Sequence, residues 1–315
     1  MTKSKGKESK GFLLAEQAQF VYAALTAVLI LFTWTNLQNP QGLLWERVTI
    51  VSGTLALWIV YRIWQSRIIM LCRVLYLLMM LGHWYPDTYE LNKQFGSFDN
   101  VFAQYEQSLF GFQPAYEFSK AFSSGFFSEL MYAGYMSYYL FFVFTILIVF
   151  FRDYQQLRRV TFIIITSFFL CYVIYLFLPV TGPQYYFYAI GEDSVVAGNF
   201  PDIGKFFSDT QESLQAPGWK DGFFYRLNQI PHQAGERPTA AFPSSHVAVS
   251  TLVMLMAARM RMWKWLMILA IPFVLLCLST VYIQAHYAVD AIAGMGFGMV
   301  LFIALGGLKL KKCGG

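Results

Sequence analysis

The sequence predicts an all-α protein, a polytopic membrane helix bundle of about eight spans with interfacial helices on its outer face. Three observations predict this fold class. Of the 315 residues, 57% are hydrophobic and only 13% are charged, whereas soluble domains carry about 25% charged residues. Apolar runs long enough to cross about 30 Å of hydrocarbon recur along the chain. Lysines and arginines cluster at alternate ends of these runs, which is typical of membrane proteins.

The composition also limits the partners and cofactors. A net charge of +5 could suggest a nucleic-acid partner, but the basic residues flank apolar runs. We therefore expect membrane lipids as substrates and no nucleic acid, while the oligomeric state is left open. The four cysteines lack metal-ligand spacing and are expected to be unpaired. No His, Asp or Glu cluster provides three ligands on one side, so neither a metal nor another cofactor is expected.

The N-terminal third contains a tail and three spans. Residues 1–17 form a basic, polar tail that is expected on the cytoplasmic side. The spans lie within residues 18–84 and are predicted at 19–37, 48–64 and 68–84, with the last one ending at Tyr85-Pro86-Asp87. Since no small-residue cleavage site follows the tail, the first span is expected to remain in the protein.

Residues 85–128 form an interfacial segment, in which aromatic residues alternate with acids and amides and no apolar stretch is long enough to span. Asp99 could cap a helix there. The apolar residues on one face of that helix are Val101, Phe102, Tyr105, Leu109 and Phe110. Such a helix suits the headgroup layer of a membrane. An aromatic-rich loop packed over the bundle explains the pattern equally well.

Residues 129–312 contain the remaining spans, as a transmembrane bundle that also carries the candidate site. The spans are predicted at 129–151, 160–178, 246–258, 265–283 and 286–307. The outer loop, residues 179–240, is longer than ordinary loops, so we expect it to be partly ordered and close to the site. Gly294 and Gly298 form a small-residue face that favours close helix packing. With this count, both termini and most of the 23 lysines and arginines are cytoplasmic.

Polar groups that are costly to bury in lipid are concentrated at the starts of two of these spans. The segment Phe242-Pro243-Ser244-Ser245-His246 reads as a helix start, where free N–H groups and a partial positive charge suit a phosphate. Further on, His286 and Asp290 are four apart and would share one helical face, so the carboxylate can orient the imidazole as a nucleophile or base. Each could be a capping or interfacial residue, but their placement at one end of the bundle indicates a functional site.

These residues resemble the last two signature blocks of the type 2 phosphatidic acid phosphatase superfamily, which includes lipid phosphate phosphatases and inositol phosphorylceramide synthases. The matching segments are Pro-Ser-Ser-His at 243–246 and Ser-Thr-x5-His-x3-Asp at 279–290. The resemblance implies that His286 takes up the phosphoryl group and that Asp290 orients it. It also implies that His246 protonates the leaving oxygen.

The resemblance further implies that Ser244 and the backbone around Ser245 hold phosphate oxygens. The phosphatase branch usually has glycine where Ser245 stands and arginine where Thr280 stands, and its Lys-x6-Arg-Pro block is absent here. Without the signature arginine, the phosphate needs another cation. Arg237, which lies shortly before Ser244 in the outer loop, is the first candidate. The segment around Thr280 is more similar to the sphingolipid-synthase branch.

The sequence therefore predicts an integral-membrane enzyme that transfers a phosphoryl group or phospho-headgroup between lipids through a phosphohistidine. It resembles inositol phosphorylceramide synthases, with its site on the outer, periplasmic or lumenal, face. A lipid phosphate phosphatase is the alternative, with water as the acceptor. A transporter or scaffold, in which the polar residues gate or pack, is a third hypothesis. The remaining histidines, His83 and His232, are more simply interpreted as interfacial and loop residues than as substrate contacts.

Overall fold

The computed structural model describes residues 10–233, 237–239 and 241–312, with only the backbone described for 231–233. Within these ranges the regular structure is entirely helical, which confirms the predicted all-α fold class. The described α-helices are, in chain order, α1 (Leu14–Phe32), α2 (Pro40–Ile63), α3 (Arg67–Asn92), α4 (Asp99–Phe110), α5 (Pro114–Ala121), α6 (Gly125–Met136), α7 (Tyr138–Arg152), α8 (Tyr154–Phe177), α9 (Pro183–Ile190), α10 (Glu192–Val196), α11 (Phe223–Gln233), α12 (Ser245–Arg259), α13 (Trp263–Tyr282) and α14 (Ala288–Ala304).

Among the described residues, five helices are long and apolar enough to cross a membrane: α1, α2, α3, α8 and α13. Helices α6 and α7 pass the same test together, as one segment bent by 40°. Helices α12 and α14 are apolar but shorter. One bent pair and two short helices beside the five long ones are compatible with the predicted bundle of about eight spans.

Capping side chains fix where three of these helices begin. Asn39, Ser66 and Ser124 each accept hydrogen bonds from main-chain N–H groups in the first turns of α2, α3 and α6. These bonds satisfy donors that have no partner within the helix. The helix starts are therefore encoded locally, by polar residues placed immediately ahead of apolar runs.

Helix α3 continues beyond the end that the sequence predicts. The third span was expected to stop at Pro86, but the helix runs to Asn92 with the proline inside it. Asp87 forms a buried ion pair with Arg47 of α2 at 3.1 Å. Thr88 donates a hydrogen bond to the main chain one turn earlier at 2.7 Å. Because these contacts hold the additional turns, the predicted boundary is wrong.

The predicted fourth span, residues 129–151, is interrupted at Ser137 between α6 and α7. The Ser137 hydroxyl donates to the Gly134 carbonyl at 2.6 Å. Gly134 itself packs so closely on α13 that an added Cβ would lie 2.9 Å from Cβ of Leu275. The break leaves a tyrosine on each side of the bend in contact with α12. The predicted span is therefore a pair of helices that are bent by 40° and together are apolar and long enough to cross a membrane.

Helix α4 lies in the predicted interfacial segment and outside the candidate spans. Its exposed apolar residues are Val101, Tyr105 and Leu109. The opposite face carries Asp99 and Glu106, both fully buried. Asp99 does not cap the helix as expected, since the N-cap position is Phe98 and makes no side-chain bond. The carboxylate of Asp99 is used instead to bind neighbouring segments.

Helices α12 and α14 approach each other along the glycine face predicted on the last span. A Cβ on Gly294 would lie 2.6 Å from the carbonyl oxygen of Ser244. A Cβ on Gly298 would overlap the carbonyl oxygen of Ala248. The two glycines therefore allow backbone contact, as the small-residue pattern predicts. This contact sets the start of α12 beside the first turns of α14.

The outer loop, residues 179–240, is partly ordered as predicted and contains α9, α10 and α11. Several hydrogen bonds join it to α6. The Tyr132 hydroxyl donates to the Pro217 carbonyl at 2.7 Å, and the Glu129 carboxylate accepts from the N–H of Phe224 at 2.9 Å. The loop therefore covers the end of the bundle at which α12 and α14 begin.

The cysteines agree with the expectation of unpaired thiols as far as the structure describes them. Cys72, Cys171 and Cys277 are free. Cys313 lies outside the described residues.

Candidate active site

The two motif histidines meet at one end of the bundle. His246 lies in the first turn of α12, and His286 lies in the turn that joins α13 to α14. Their ring centroids are 5.6 Å apart, and Nε2 of His286 lies 3.5 Å from Nδ1 of His246. Asp290, in the first turn of α14, lies 3.8 Å from Nδ1 of His286. The three side chains expected to converge are therefore adjacent.

A main-chain carbonyl orients the imidazole of His286. Its Nδ1 lies 2.7 Å from the carbonyl oxygen of Ala241. Because a carbonyl oxygen only accepts, this contact assigns the proton to Nδ1 and leaves the lone pair on Nε2. Nε2 is also the atom that faces His246. The ring is thus held with the lone pair of Nε2 directed towards His246.

Asp290 does not hold this ring by a hydrogen bond, contrary to the expectation from the sequence. Helix α14 begins at Ala288, so His286 precedes it and the two residues do not share a helical face. Oδ2 of Asp290 accepts from the N–H of Tyr287 at 2.8 Å and so caps its own helix. At 3.8 Å from Nδ1 of His286, the carboxyl group lies beyond hydrogen-bonding distance of the ring.

Two tyrosines that sequence reasoning missed flank His246. The ring of Tyr135 stacks on the imidazole with a centroid distance of 4.7 Å, and Tyr138 approaches to 4.2 Å. Aromatic faces stabilise an adjacent cation by about 0.5–2 kcal/mol. The rings would stabilise an imidazolium at His246, the charged form that a general acid uses, although burial disfavours that form. The only sign in the sequence is the Gly134 and Ser137 pair, which interrupts an otherwise apolar run.

The start of α12 has fewer free donors than the sequence predicts. The Oγ of Ser244 accepts a hydrogen bond from the N–H of Val247 at 3.4 Å. The main-chain N–H of Ser244 donates to the carbonyl of Asp290 at 3.1 Å. The N–H of Ser245 donates to the hydroxyl of Tyr175 at 3.1 Å. Both serines are buried. The expectation of free N–H groups is therefore wrong at these two residues, because neighbouring helices already bind them.

Arg237 is the cation expected to replace the missing signature arginine. Its guanidinium contacts the side chain of Gln211 in the outer loop. Lys220 and Arg226 also contact side chains or carbonyls of the same loop. The role of Arg237 in binding the phosphate therefore stays a prediction, which the loop would fulfil by bringing this side chain to the histidines.

The remaining histidines do not extend the site. His83 is exposed on α3, and the side chain of His232 lies outside the described set. Within the described residues, no group of three or more His, Cys, Asp and Glu side chains is placed to hold a metal ion. The reactive groups that the structure assembles are two imidazoles and a carboxyl group.

Two acids of α4 that the sequence analysis did not connect with the site contact the turn formed by residues 285–290, called the catalytic turn below because it carries His286 and Asp290. Oδ1 of Asp99 accepts from the Tyr287 hydroxyl, and Oε1 of Glu106 accepts from the N–H of Val289, each at 3.0 Å. Burial raises the pKa of Glu106 to about 7, although the N–H of Val289 lowers it and the nearby Asp290 raises it again. An available sign was the spacing of two acids on one face of an apolar helix.

Comparison with known families supports the chemistry that this geometry allows. A protein-family model described as PAP2 superfamily matches residues 103–304, well over half of the chain, including both histidines and Asp290. No curated protein and no solved structure matches the chain. PAP2 superfamily members are phosphatases or phosphotransferases, which supports an enzymatic function. The chain therefore belongs to the PAP2 superfamily, whose signature blocks its sequence resembles.

Proposed function

We propose that this protein transfers a phosphoryl group or phospho-headgroup between membrane lipids through a phosphohistidine, similar to inositol phosphorylceramide synthases. The observation that carries the proposal is the 3.5 Å approach of His286 Nε2 to His246 Nδ1, with Asp290 beside the pair. An oriented nucleophile next to a potential acid is the arrangement that covalent phosphoryl transfer needs.

In the first step, Nε2 of His286 attacks the phosphorus of the donor lipid and forms an N–P bond. The P–O bond to the leaving alcohol breaks, and His246 gives that oxygen a proton. The Ala241 carbonyl keeps the Nδ1 proton in place, while Asp290 compensates the positive charge that develops on the ring. Acid catalysis of this kind contributes about 10²–10⁴-fold.

In the second step, His246 takes the proton from an acceptor hydroxyl, whose oxygen attacks the phosphohistidine. The N–P bond breaks, and His286 returns to its starting state. A lipid hydroxyl as acceptor gives a transferase, whereas water gives a phosphatase. The departure at Thr280, where the phosphatase branch has arginine, supports the transferase.

The separation of the two rings implies that one of them moves when substrate binds. An in-line reaction needs about 3–3.5 Å from nitrogen to phosphorus and about 2.6–3.2 Å from the acid to the leaving oxygen, so roughly 6 Å or more between the nitrogens. They are 3.5 Å apart. Since the Ala241 carbonyl holds His286 in place, we expect His246 to be the ring that moves. It would turn away from His286 along the rings of Tyr135 and Tyr138.

We further propose that the site opens on the outer, periplasmic or lumenal, face and that both termini are cytoplasmic. Basic residues at the opposite end of α12 and α14 support this orientation. There Arg259 donates to the Leu308 carbonyl at 2.8 Å, and the guanidinium of Arg159 lies beside Gly306.

The test uses purified protein with phosphatidic acid or phosphatidylinositol, each with and without a lipid that offers a free hydroxyl. A transferase forms the new phospholipid only when the acceptor is present. Fast phosphate release without any acceptor would contradict this proposal and favour the lipid phosphate phosphatase. His286→Ala and His246→Ala should abolish turnover, while His83→Ala, at an exposed histidine, is the matched control. Retained turnover in the double histidine variant would refute the phosphohistidine.

A further inference from the structure

Two buried acids lie on the inward face of α4, about two helical turns apart. Asp99 and Glu106 are both fully buried, although the other face of the helix exposes apolar side chains. Burying a carboxylate is unfavourable unless hydrogen bonds compensate it. The groups that these two acids bind therefore indicate why they are there.

Asp99 joins three segments of the chain. Its carboxylate accepts from the N–H groups of Thr181 and Gly182 at 2.7 and 2.9 Å and from the Tyr287 hydroxyl at 3.0 Å. Gly182, with φ of +95°, lies so close to the catalytic turn that an added Cβ would be 2.6 Å from the Ala285 carbonyl oxygen. Asp99 therefore fixes the segment after α8 against both neighbours of the nucleophilic histidine.

The carbonyl that orients this histidine belongs to the same arrangement. The N–H of Ala241 donates to the Val180 carbonyl at 2.9 Å, and Val180 directly precedes the residues that Asp99 binds. The segment after α8 thus links the Ala241 carbonyl to Tyr287. If the Ala241 carbonyl moved relative to Tyr287, its 2.7 Å hydrogen bond to His286 would lengthen. Hydrogen bonds weaken steeply when their geometry is lost.

Glu106 holds the other end of the catalytic turn. Its Oε1 accepts from the N–H of Val289, a first-turn donor of α14 that has no partner within the helix. Val289 precedes Asp290, so this bond also sets the position of the carboxyl group beside the imidazole. Oε2 of Glu106 is buried and has no hydrogen-bond partner among the described residues. The N–H of Ala288, also in the first turn of α14, adds a second main-chain contact to this carboxyl group.

We propose that Asp99 and Glu106 are positioning residues, which act through residues 285–290 to hold His286 in its reactive orientation. The inference deepens the proposed phosphohistidine function and rests on it. Neither acid touches the phosphorus; each holds one end of the turn that carries the nucleophile. Helix α4 thereby becomes part of the catalytic scaffold while its other face is exposed.

Glu106 gives the sharper test, because three variants separate its hydrogen bond from its ionisable carboxyl group. Glu106→Gln keeps an oxygen acceptor for the N–H of Val289, Glu106→Asp keeps the carboxyl group but is one methylene too short, and Glu106→Ala loses both. We expect kcat of the Gln variant within about threefold of the parent and a loss of about 10–100-fold for Asp and Ala, with KM little changed. Ser108→Ala, on the exposed side of the same helix, is the control.

A second measurement reads the orientation of His286 without any substrate. With ¹⁵N-labelled histidine, the four histidines give few signals, and His286→Asn assigns the relevant one. The parent and the Gln variant should show His286 protonated at Nδ1, whereas the Asp and Ala variants should lose this signature. If the parent transfers no phosphate, the proposed function fails, but the spectra still decide the positioning inference.

Several results would overturn the inference. Parental kcat and spectrum in Glu106→Ala would show that the bond to Val289 positions nothing. If the Ala variant does not fold, the comparison of Glu106→Gln with Glu106→Asp decides. An Asp variant as active as the parent would assign the effect to the carboxyl group rather than to the bond with Val289. A Gln variant as impaired as Asp would show that an oxygen acceptor for Val289 is not sufficient, and either result would refute positioning.

Discussion

Replacing Glu106 by Gln should make the protein more stable at high pH. The carboxyl group is fully buried, and burial raises its pKa from 4.5 to about 7. The folded protein therefore binds this proton more tightly than the unfolded chain does. Its stability is highest below the unfolded pKa and falls as pH rises through the window from 4.5 to about 7. Glutamine has no proton to lose, and its amide oxygen still accepts the bond from Val289.

The magnitude follows from the size of the shift. One pKa unit corresponds to about 1.4 kcal/mol, so the whole window is worth about 3 kcal/mol. Between pH 5.5 and pH 8, the parent loses about 2 kcal/mol of this stabilisation, because only the pH range from 5.5 to about 7 lies within the window. Over that range, the free energy of unfolding of Glu106→Gln relative to the parent should therefore rise by about 2 kcal/mol.

The assay is thermal unfolding in detergent at matched pH values, where such a change raises the relative Tm by several degrees. Glu117→Gln is the control, because Glu117 is an exposed carboxyl group on the neighbouring α5. Its Tm relative to the parent should stay constant with pH. If the difference in Tm between Glu106→Gln and the parent were also constant with pH, the assignment of a buried, protonated carboxyl group to Glu106 would be refuted.

Three further outcomes follow from the geometry of the site. Gly294→Ala should cost about 1–3 kcal/mol of stability and most of the activity, because its Cβ would meet a backbone oxygen 2.6 Å away. Gly296→Ala, in open space on the same helix, should change neither stability nor activity. Equal losses of Tm in the two variants would contradict the close packing at Gly294. Tyr138→Leu should lower kcat by about tenfold. Tyr138→Phe keeps the aromatic face against His246, so its kcat should be within about twofold of the parent value. Equal kcat values for the two variants would exclude a cation–π contribution. Arg237→Ala should raise KM for an anionic donor lipid by about tenfold if the loop brings this guanidinium to the phosphate, whereas Lys220→Ala should leave KM unchanged; identical KM values would exclude Arg237 from the site.

The overall fold was predictable because apolar runs and capping residues are local properties of the chain. The errors arose where contacts between distant residues override a local rule. Pro86 should end a helix, but an ion pair from α2 holds the turns beyond it. Ser137 looks neutral in an apolar run, yet the close approach of Gly134 to α13 accompanies a bend there. Neither contact can be read from the residues on one helix.

The candidate site was predictable as a set of side chains but not as a set of bonds. The motif spacing identified His246, His286 and Asp290, and the structure brings them together. It did not reveal that a carbonyl holds the nucleophile, because every residue has one and no residue type marks it. Ala241 acquires this role only through its pairing with Val180. The tyrosines were hidden for a related reason, since the chain contains 20 of them and the bend selects which two contact the histidine.

The low polarity of the surroundings explains why the starts of the two helices are already saturated. At membrane depth, main-chain N–H groups without partners are unfavourable, so protein groups bind them before any substrate arrives. Tyr175 binds Ser245, and Glu106 binds Val289. The proposed phosphate therefore cannot use the N–H groups at these positions. We expect side chains that move towards it to hold it, so that the turning of His246 and the approach of a loop cation would be parts of one binding step.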